Sequence, residues 1–430
     1  MVRDPGDEVS NRHMIRHEKR YDMTRRVRTA LSLAAAVVLA CCCMPVCGTA
    51  EEIILDEIEL DDESGLIGRA EDLVFHSANE NSPVKCNHPL CFWNMKMGWM
   101  DEAEIWEVLT QPVTVLDGNQ RQQHKVRARP EEDCTEYTGC VTYASQGVHV
   151  LERGEEWTLI EAYSSSVEGS PVHVYATLFQ GYVPTELLME VPVDTTYGLV
   201  IDKQQQRLYV FKEGKLLSTL LCSTGYYNPK KKNPWNETPA GEFLCISWTG
   251  DFPLKDDDGN TTMICKNAIR INDGILIHEV PMIPKTDSEG NVKWSYDRCE
   301  RYLGEKASHG CIRVQQRKTP EGINEEWLWK NLSNGTRKGQ AYTKVIIWDD
   351  AGREIGYPDD GLTLYYNAKR DKGYYHSSPD CVRIKGSSKT VEFTYGELED
   401  KTYKKLAPCP NCAPQLRKAD IDTLNKKNDR

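Results

Sequence analysis

The chain has 430 residues, a formal net charge of -12 and a mean hydropathy of -0.58. One hydrophobic core rarely serves more than about 250 to 300 residues, so this length excludes a one-domain protein and predicts two or three modules. An acidic surface repels phosphate backbones and anionic lipid heads, which argues against nucleic-acid binding as the main task. A neutral or amine-bearing ligand suits this charge better.

The first fifty residues have the composition of an export signal. Arginines precede an apolar run at 29–45, and small residues follow it at 48–50. A basic flank, an apolar centre and a small-residue exit are the parts of a secretory signal. We predict that 1–50 is a signal peptide or membrane anchor and that the protein is exported. Cys41 also permits lipid attachment, so anchor, lipoprotein and free secretion all stay open.

A linker and a small barrel are predicted next. Residues 51–104 begin with a run of Asp and Glu without aromatic side chains, which is typical of an acidic linker. Within 105–191, short alternating apolar runs separated by turn residues recur about every ten residues, a pattern that predicts an all-β barrel. Their order resembles bacterial SH3-like domains, and this resemblance implies binding of cell-wall peptides. The alternative is a barrel that serves only as a spacer.

The segment 195–350 is predicted to be a second, mainly β domain. Strand-like runs occur at 199–202, 207–211 and 216–221, with a turn at 212–214 between the last two. Asn272-Asp273-Gly274 predicts a tight hairpin with positive φ angles. Only 322–332 has a helical pattern.

One cysteine in this domain has the context of a nucleophile. Cys311 follows Gly310 in a segment without helix or strand pattern, and His278 ends a predicted strand. A cysteine that attacks an amide needs a base and donors that face the developing oxyanion. Because glycine lacks a Cβ, the chain at Gly310 can bend and turn neighbouring N–H groups to one side. Each residue alone is more often structural, so the combination carries the prediction.

Four motifs in order point to one family. Ser308-His309-Gly310-Cys311-Ile312-Arg313, with His278 upstream, resembles the active-site signature of the L,D-transpeptidase catalytic domain. Ser223-Thr224-Gly225 and Thr238-Pro239-Ala240-Gly241-Glu242-Phe243 match two further segments of that family. The fold thus implied is mainly β: an SH3-like small β-barrel followed by an L,D-transpeptidase-type β-sandwich domain, with a small Cys/His-rich C-terminal module.

The resemblance also implies residue roles. Cys311 would be the nucleophile and His278 its general base. The other implied roles are orientation of the His278 ring by the backbone carbonyl of Glu279, an oxyanion loop at His309 and Gly310, and support by Ser308 and Arg313. Arg313 stands where stricter members of the family have Asn.

The implied activity is cross-linking of peptidoglycan. Cys311 would form a thioester with a stem tetrapeptide, release the terminal D-amino acid and pass the acyl group to an amine of a second stem. Expected partners are stem peptides as donor and acceptor, with carbapenems as inhibitors, no nucleic acid, and membrane contact only through the N-terminal segment. No cofactor is expected for this chemistry. The alternatives are an L,D-carboxypeptidase-type hydrolase that uses water and a catalytically idle wall-binding protein.

One spacing departs from the family. His278 and Ser308 are 30 positions apart, which is more than is usual. We interpret 280–307 as an insertion. It is either a lid or loop beside the acceptor site, or an inert excursion.

The remaining cysteines suggest disulfides. Four of the sixteen cysteines lie in the export signal, and eight others have no assigned role: Cys86, Cys91, Cys134, Cys140, Cys222, Cys245, Cys265 and Cys299. An even number in an exported chain favours disulfides, and close neighbours such as Cys134 and Cys140 are the simplest pair. Free thiols are the alternative in an oxygen-free habitat.

The C-terminal region contains a possible metal site. Within 360–415, His376 and Cys381 are followed by the Cys-x2-Cys pair Cys409 and Cys412. This spacing suits a structural zinc, and it resembles small treble-clef-like or zinc-ribbon-like modules. A disulfide between two of these cysteines is the alternative. Residues 416–430 are predicted to be a charged tail.

Overall fold

The computed structural model describes residues 101–165, 176–225, 236–256, 258–332, 335, 341–350 and 353–428. The predicted export signal lies outside these residues, as do most of the predicted linker, Cys86 and Cys91. Among the residues that are described, no helix has the length and apolar character needed to cross a bilayer. The described chain is mainly β, as predicted.

Helix α1 (Glu102–Thr110), which was not predicted, opens the described chain. Asp101 accepts a hydrogen bond from the Glu104 N–H at 2.9 Å, and the Glu104 carboxylate accepts one from the Asp101 N–H at 2.8 Å. This capping box satisfies two of the N–H groups that a helix start leaves without partners. Val108 and Leu109 turn inward and are buried.

A small antiparallel β domain follows the helix. Its strands are β1 (Val113–Leu116), β2 (Gln123–Arg127), β3 (Tyr137–Thr142), β4 (His149–Arg153), β5 (Trp157–Tyr163), β6 (Leu178–Pro184) and β7 (Leu188–Val191), with a 3-10 turn at Thr185–Leu187. They pair in the order β3-β2-β6-β5-β4, while β1 pairs with β7. Strands β1, β2, β4, β5 and β6 coincide with predicted apolar runs, whereas β3 and β7 were not predicted. Closure into an SH3-like barrel stays a prediction.

The next domain is a nine-stranded sheet with a hairpin and two helices. Its elements are β8 (Val193–Asp202), β9 (Arg207–Lys212), β10 (Lys215–Ser223), β11 (Gly241–Leu244), β12 (Ser247–Lys255), β13 (Thr261–Arg270), β14 (Leu276–Glu279), β15 (Ile283–Thr286), β16 (Val292–Ser295), α2 (Asp297–Glu300), β17 (Ile312–Val314), α3 (Glu325–Asn331) and β18 (Tyr342–Trp348). The sheet order is β11-β18-β8-β9-β10-β17-β14-β13-β12, and β15 pairs only with β16.

Both halves of this sheet contribute to one core. Leu199 and Val345 come from the half around β8, Ile269 and Ile312 come from the half around β14, and all four belong to the same buried cluster. Leu328 of α3 covers this cluster. On the opposite face of β8, β9 and β18, helix α1 packs its buried side chains against the sheet. The sheet therefore has a covered face on each side, as a layered β domain requires.

Two predicted turns differ in outcome. Between β9 and β10, Glu213 and Gly214 have φ angles of 46° and 87°, which gives the predicted tight turn. Asn272-Asp273-Gly274 does connect β13 with β14, but the prediction of positive φ there is wrong. The loop is wider than a two-residue turn, since the last ladder pair is Arg270 with Leu276. Within it the Asp273 N–H donates to the Asn272 side chain at 2.7 Å.

The C-terminal module forms a four-stranded sheet with two helical segments. Its elements are β19 (Thr363–Asn367), β20 (Asp371–His376), β21 (Val391–Thr394), a 3-10 helix at Tyr395–Glu399, β22 (Ala407–Pro408) and helix α4 (Lys418–Asn428). The strand order is β21-β19-β20-β22. Helix α4 occupies most of the predicted charged tail and buries Ile421.

The predicted disulfides are not found among the described cysteines. No bridge joins Cys134 to Cys140, and the other unassigned cysteines here are buried free thiols: Cys222, Cys245, Cys265 and Cys299. The Cys134 Sγ instead donates to the Glu136 carbonyl at 3.4 Å. These side chains fill apolar packing positions, as free cysteines commonly do.

Candidate active site

Cys311 lies directly before strand β17 and is partly exposed. Its Sγ is 3.9 Å from the Gly274 carbonyl oxygen. The preceding residue, Gly310, has a φ of 117°, a conformation that side chains larger than glycine rarely adopt. The sharp bend predicted at Gly310 is therefore present.

The loop before Cys311 is held by its own hydrogen bonds. Ser308 Oγ donates to the Cys311 carbonyl, and the Gly310 N–H donates to Ser308 Oγ at 3.1 Å. Arg313 is buried and donates from Nη1 to the Ala307 carbonyl at 3.2 Å. Ser308 and Arg313 thus brace the loop from opposite ends.

The Ser-Thr-Gly motif lies beside this loop. The N–H groups of Ala307 and Ser308 both donate to the Thr224 carbonyl at 3.0 Å. Gly225 forms a parallel bridge with Ser308. A Cβ at Gly225 would be 1.9 Å from the Asn236 carbonyl oxygen, so only glycine fits there.

Thr238 joins the Thr-Pro-x-Gly motif to the other two. Its Oγ1 donates to the Gly310 carbonyl at 2.6 Å and accepts the Gly225 N–H at 2.7 Å. Its side chain is fully buried. Thr238 was singled out only as part of a motif, and no local sequence signal indicates that it bridges two distant loops.

His278 lies in β14 and is buried, with 3% of its surface exposed. Its Nδ1 is 2.7 Å from the Glu279 carbonyl oxygen, which is the contact implied by the resemblance. Phe252 packs its edge against the ring at a centroid distance of 6.1 Å. Burial, together with the nearby Arg313 charge, lowers the pKa of His278 to about 4, although the Glu279 carbonyl acts in the opposite direction.

The strand register puts Cys311 and His278 on one face. Strands β14 and β17 are parallel, with Ile277 opposite Ile312 and His278 opposite Arg313. Because side chains alternate along a strand, Ile277 and Ile312 face the core while their neighbours face the other side. Strand and residue spacings then put the Cα atoms of His278 and Cys311 about 8 Å apart, within reach of the two side chains.

The surroundings of Cys311 favour its neutral thiol. Loss of hydration raises its pKa above the ordinary value, against the opposing effects of the Leu276 N–H and the positive charges of Arg313 and Arg270. A thiol in this state needs a base when it attacks. His278 is the histidine that the strand register brings to the same face.

In the oxyanion loop predicted at His309 and Gly310, one of the two backbone N–H donors already forms a hydrogen bond within the protein. His309 is exposed, and the Gly310 N–H is directed at Ser308 Oγ. An oxyanion at Cys311 would therefore compete with Ser308 for the Gly310 N–H.

The insertion 280–307 is attached to the site through Glu279. Tyr296, between β16 and α2, donates from its hydroxyl to the Glu279 carboxylate, and Asn267 Nδ2 donates to the same group at 3.2 Å. Cys299 of α2 is buried. Glu279 thus contacts His278 through its carbonyl, and its carboxylate contacts Asn267 and, in the insertion, Tyr296. The carboxylate contacts were not predicted.

Two clusters of metal-ligand residue types occur in the described residues. His376, Cys381, Cys409 and Cys412 have ligand atoms that lie within 4.8 Å of one another. A second cluster comprises Glu237, Asp349 and Asp350, but the buried Lys203 Nζ lies 3.0, 2.9 and 3.6 Å from their carboxylates. Lys203 supplies the positive charge for the second cluster, whereas the first has no such cation among its members.

Comparison with known proteins identifies the middle of the chain. Residues 196–347 match the family model of the L,D-transpeptidase catalytic domain, YkuD. No curated protein sequence matches the chain.

Several solved structures are similar to parts of the chain. An L,D-transpeptidase from Mycobacterium smegmatis is 12% identical, with 47% of this chain and 99% of that chain covered and a TM-score of 0.24. The catalytic domain of an E. faecium L,D-transpeptidase acylated by ertapenem is 19% identical, with 36% and 98% covered and a TM-score of 0.21. A fused Zn-dependent amidase/peptidase/peptidoglycan-binding domain-containing protein from Clostridium acetobutylicum is 20% identical, with a TM-score of 0.23; 37% of this chain is covered, and the chain spans 55% of that relative.

These scores are too low to support an argument, so the assignment rests on the family model and the motifs. All four motif segments, with Cys311 and His278, fall inside the matched range. Residues 196–347 of this chain are therefore an L,D-transpeptidase catalytic domain.

Proposed function

We propose that the protein is an exported peptidoglycan L,D-transpeptidase in which Cys311 is acylated by a stem tetrapeptide. The observation that carries the proposal is the pairing of β14 with β17 inside the matched family domain, because it brings His278 and Cys311 to one face. The acidic composition and the signal-like 1–50 agree with work at the cell wall, free or membrane-anchored. No metal or organic cofactor takes part in this chemistry.

In the first step, His278 removes the proton of the Cys311 thiol as sulfur attacks the donor carbonyl. Nδ1–H donates to the Glu279 carbonyl, so Nε2 carries the free lone pair that accepts this proton. A carbon–sulfur bond forms, the amide carbon–nitrogen bond breaks, and the proton passes from His278 to the departing D-amino acid. The N–H groups of His309 and Gly310 stabilise the oxyanion, with Gly310 leaving Ser308 Oγ to do so.

In the second step, an amine of another stem attacks the thioester. His278 takes the amine proton and returns it to sulfur, so the product is a cross-link and the free thiol is restored.

If water attacks instead, the enzyme is an L,D-carboxypeptidase-type hydrolase with the same two residues. We favour the transpeptidase because it is the activity for which the family domain is named, and intact Cys311 and His278 argue against an idle wall-binding protein. The preceding barrel would bind wall peptides near the site.

The test is to incubate the purified full chain with stem tetrapeptide or with a carbapenem and to measure intact mass and products. We expect a covalent adduct in the wild type that is absent in Cys311→Ala. The matched control is Cys265→Ala, which removes another buried thiol of the same domain and should keep the adduct. An adduct that persists in Cys311→Ala contradicts the assignment of the nucleophile.

The products separate the two enzyme activities. Dimeric stems with released D-amino acid support the transpeptidase. Released D-amino acid and tripeptide without dimer, in the presence of excess acceptor amine, favour the hydrolase.

A further inference from the structure

We propose that His376, Cys381, Cys409 and Cys412 bind one structural Zn²⁺ through the His376 Nδ1 and three thiolate sulfurs. This inference does not depend on the proposed function, because none of the four residues belongs to the catalytic domain. The parallel pairing of β20 with β22 brings the His376 end of one strand beside the start of the Cys409–Cys412 segment.

The distances between ligand atoms fit a tetrahedral metal. The Cys381 and Cys409 sulfurs are 3.8 Å apart, and the Cys412 sulfur is 3.6 Å from the His376 Nδ1. Zinc bonds of about 2.3 Å to sulfur and 2.0–2.1 Å to nitrogen give tetrahedral edges of about 3.8 Å and 3.5 Å, respectively. A disulfide instead requires sulfurs about 2.0 Å apart. The observed spacing therefore matches a shared metal rather than a bridge.

The burial of the cluster also calls for a metal. The four side chains are at most 4% exposed, and the three cysteines form a small cluster with Ile384. Thiolates that are buried together repel one another unless a cation lies between them. A divalent ion among them supplies the missing positive charge. The nearby Arg383 does not take this role, because its guanidinium pairs with Asp371.

The residues around the cluster resemble the outer shell of a zinc site. The buried His376 Nε2 lies 3.4 Å from the Asp371 Oδ2, close to it but not aligned for a hydrogen bond, and the Asp371 carboxylate is held by Arg383. A carboxylate behind a ligating histidine fixes the ring so that the other nitrogen points at the metal. The Asn411 N–H donates to the Cys409 sulfur at 3.4 Å, as expected of a Cys-x2-Cys turn that carries a charged sulfur.

A metal also explains how this module folds. Its separate apolar core contains few side chains, among them Leu364, Tyr375 and Phe393. Small domains with small cores usually need a disulfide or a metal, and the described cysteines form no disulfide. Zinc binding would contribute directly to the free energy of folding.

The experiment measures zinc bound to the full-length chain after extensive dialysis, by elemental mass spectrometry. We expect one zinc per wild-type chain and loss of nearly all of it in Cys409→Ser and in Cys412→Ser. The matched control is Cys134→Ser, a buried cysteine of the barrel, which should keep the metal. His376→Cys should also keep it, because four thiolates bind zinc as well.

Cobalt replacement is a second measurement, made on the wild-type chain, that still tests the site if a cysteine variant fails to fold. Co²⁺ bound to the stripped wild-type chain should give the visible bands of a tetrahedral thiolate site, and the spectrum should shift toward that of an all-thiolate site in His376→Cys. Zinc retained in Cys409→Ser at the wild-type level would overturn the proposal. So would a Cys381–Cys409 disulfide in peptides of the wild-type chain that was purified under air without reductant.

Discussion

At the scale of single residues, burial determines the charge of His278 and Cys311, the proposed catalytic pair. His278 loses hydration, which lowers its pKa to about 4, and Cys311 loses hydration, which raises the pKa of its thiol. Both groups are therefore neutral near pH 7. A neutral pair differs from a preformed thiolate–imidazolium pair, because the proton moves only when the donor carbonyl is attacked.

This charge state predicts the acid side of the pH profile. We expect the rate of Cys311 acylation by a carbapenem to persist below pH 6.5, the ordinary pKa of histidine, and to fall toward the lowered value of about 4. The measurement is the adduct formation rate by mass spectrometry across pH 4 to 8. An inflection near 6.5 in the wild type would contradict a buried, neutral His278.

Stability must be followed in the same pH series. Since the pKa of His278 is lower in the folded than in the unfolded chain, the unfolded chain binds more protons between pH 6.5 and about 4. The contribution of His278 to stability is complete above pH 6.5 and decreases as the pH falls. Circular dichroism at each pH separates a loss of fold from a loss of reactivity.

At the scale of elements, Thr238 ties two loops that lie far apart in sequence. We expect Thr238→Val, which keeps the shape of the side chain, to leave the Gly225 N–H and the Gly310 carbonyl buried without a partner. Each such group costs about 1–3 kcal/mol. The melting temperature and the acylation rate should both fall, because the loop that presents Cys311 loosens.

The control for this variant is Thr262→Val. Thr262 lies on an exposed part of β13, where its hydroxyl donates to the Leu254 carbonyl at 3.2 Å. It should change neither quantity. Wild-type stability and acylation in Thr238→Val would show that the bridge has no role in holding the loop.

Some strands could be predicted from the sequence alone, whereas their pairing could not. The strand-like runs at 199–202 and 207–211 predicted β8 and β9, because a short apolar run bounded by turn residues is a local signal. The parallel pair β14–β17 could not be predicted that way, since the insertion 280–307 separates the strands and register is not encoded locally. The four motifs were therefore predicted as functional. The contacts of Thr224 with the backbone at 307–308 and of Thr238 with Gly310 required the fold.

Helix α1 was missed for a related reason. Its signal is the capping box of Asp101 and Glu104, which lies inside a run read as acidic linker. Short helices take most of their stability from packing, and the partner of Val108 and Leu109 is a sheet formed far along the chain. The acidic composition therefore favoured a linker prediction, although contacts with the distant sheet stabilise a helix there.

At the scale of the whole molecule, the catalytic sheet is held on two sides by other modules. Lys344 of β18 donates from its buried Nζ to the Val108 carbonyl of α1 at 2.8 Å. Arg207 of β9 donates to the Pro414 carbonyl of the C-terminal module at 3.2 Å, and Gln315 Nε2 donates to the Asn411 carbonyl at 3.3 Å. Gln315 directly follows β17, the strand that Cys311 precedes.

We predict that Arg207→Leu weakens the attachment of the C-terminal module. The Pro414 carbonyl then lacks its donor, a loss of about 1–3 kcal/mol for a buried acceptor. Hydrogen exchange should quicken in β20 and α4, with bound metal unchanged. Lys212→Leu, on the same strand but with a solvent-exposed side-chain ion pair, is the control and should leave the exchange as in the wild type. Equal exchange in both variants would contradict this role of Arg207.

Helix α1 and the contacts of the sheet with the C-terminal module limit how far the chain can be truncated around the catalytic domain. The family match covers 196–347, but one apolar face of its sheet packs against α1 and against Tyr163 and Leu178 of the preceding β domain. Its Arg207 donates to a carbonyl of the C-terminal module. A fragment trimmed to the family limits would expose both. The part that melts in a single cooperative transition should therefore extend beyond both limits of the family match and include α1 and the C-terminal module.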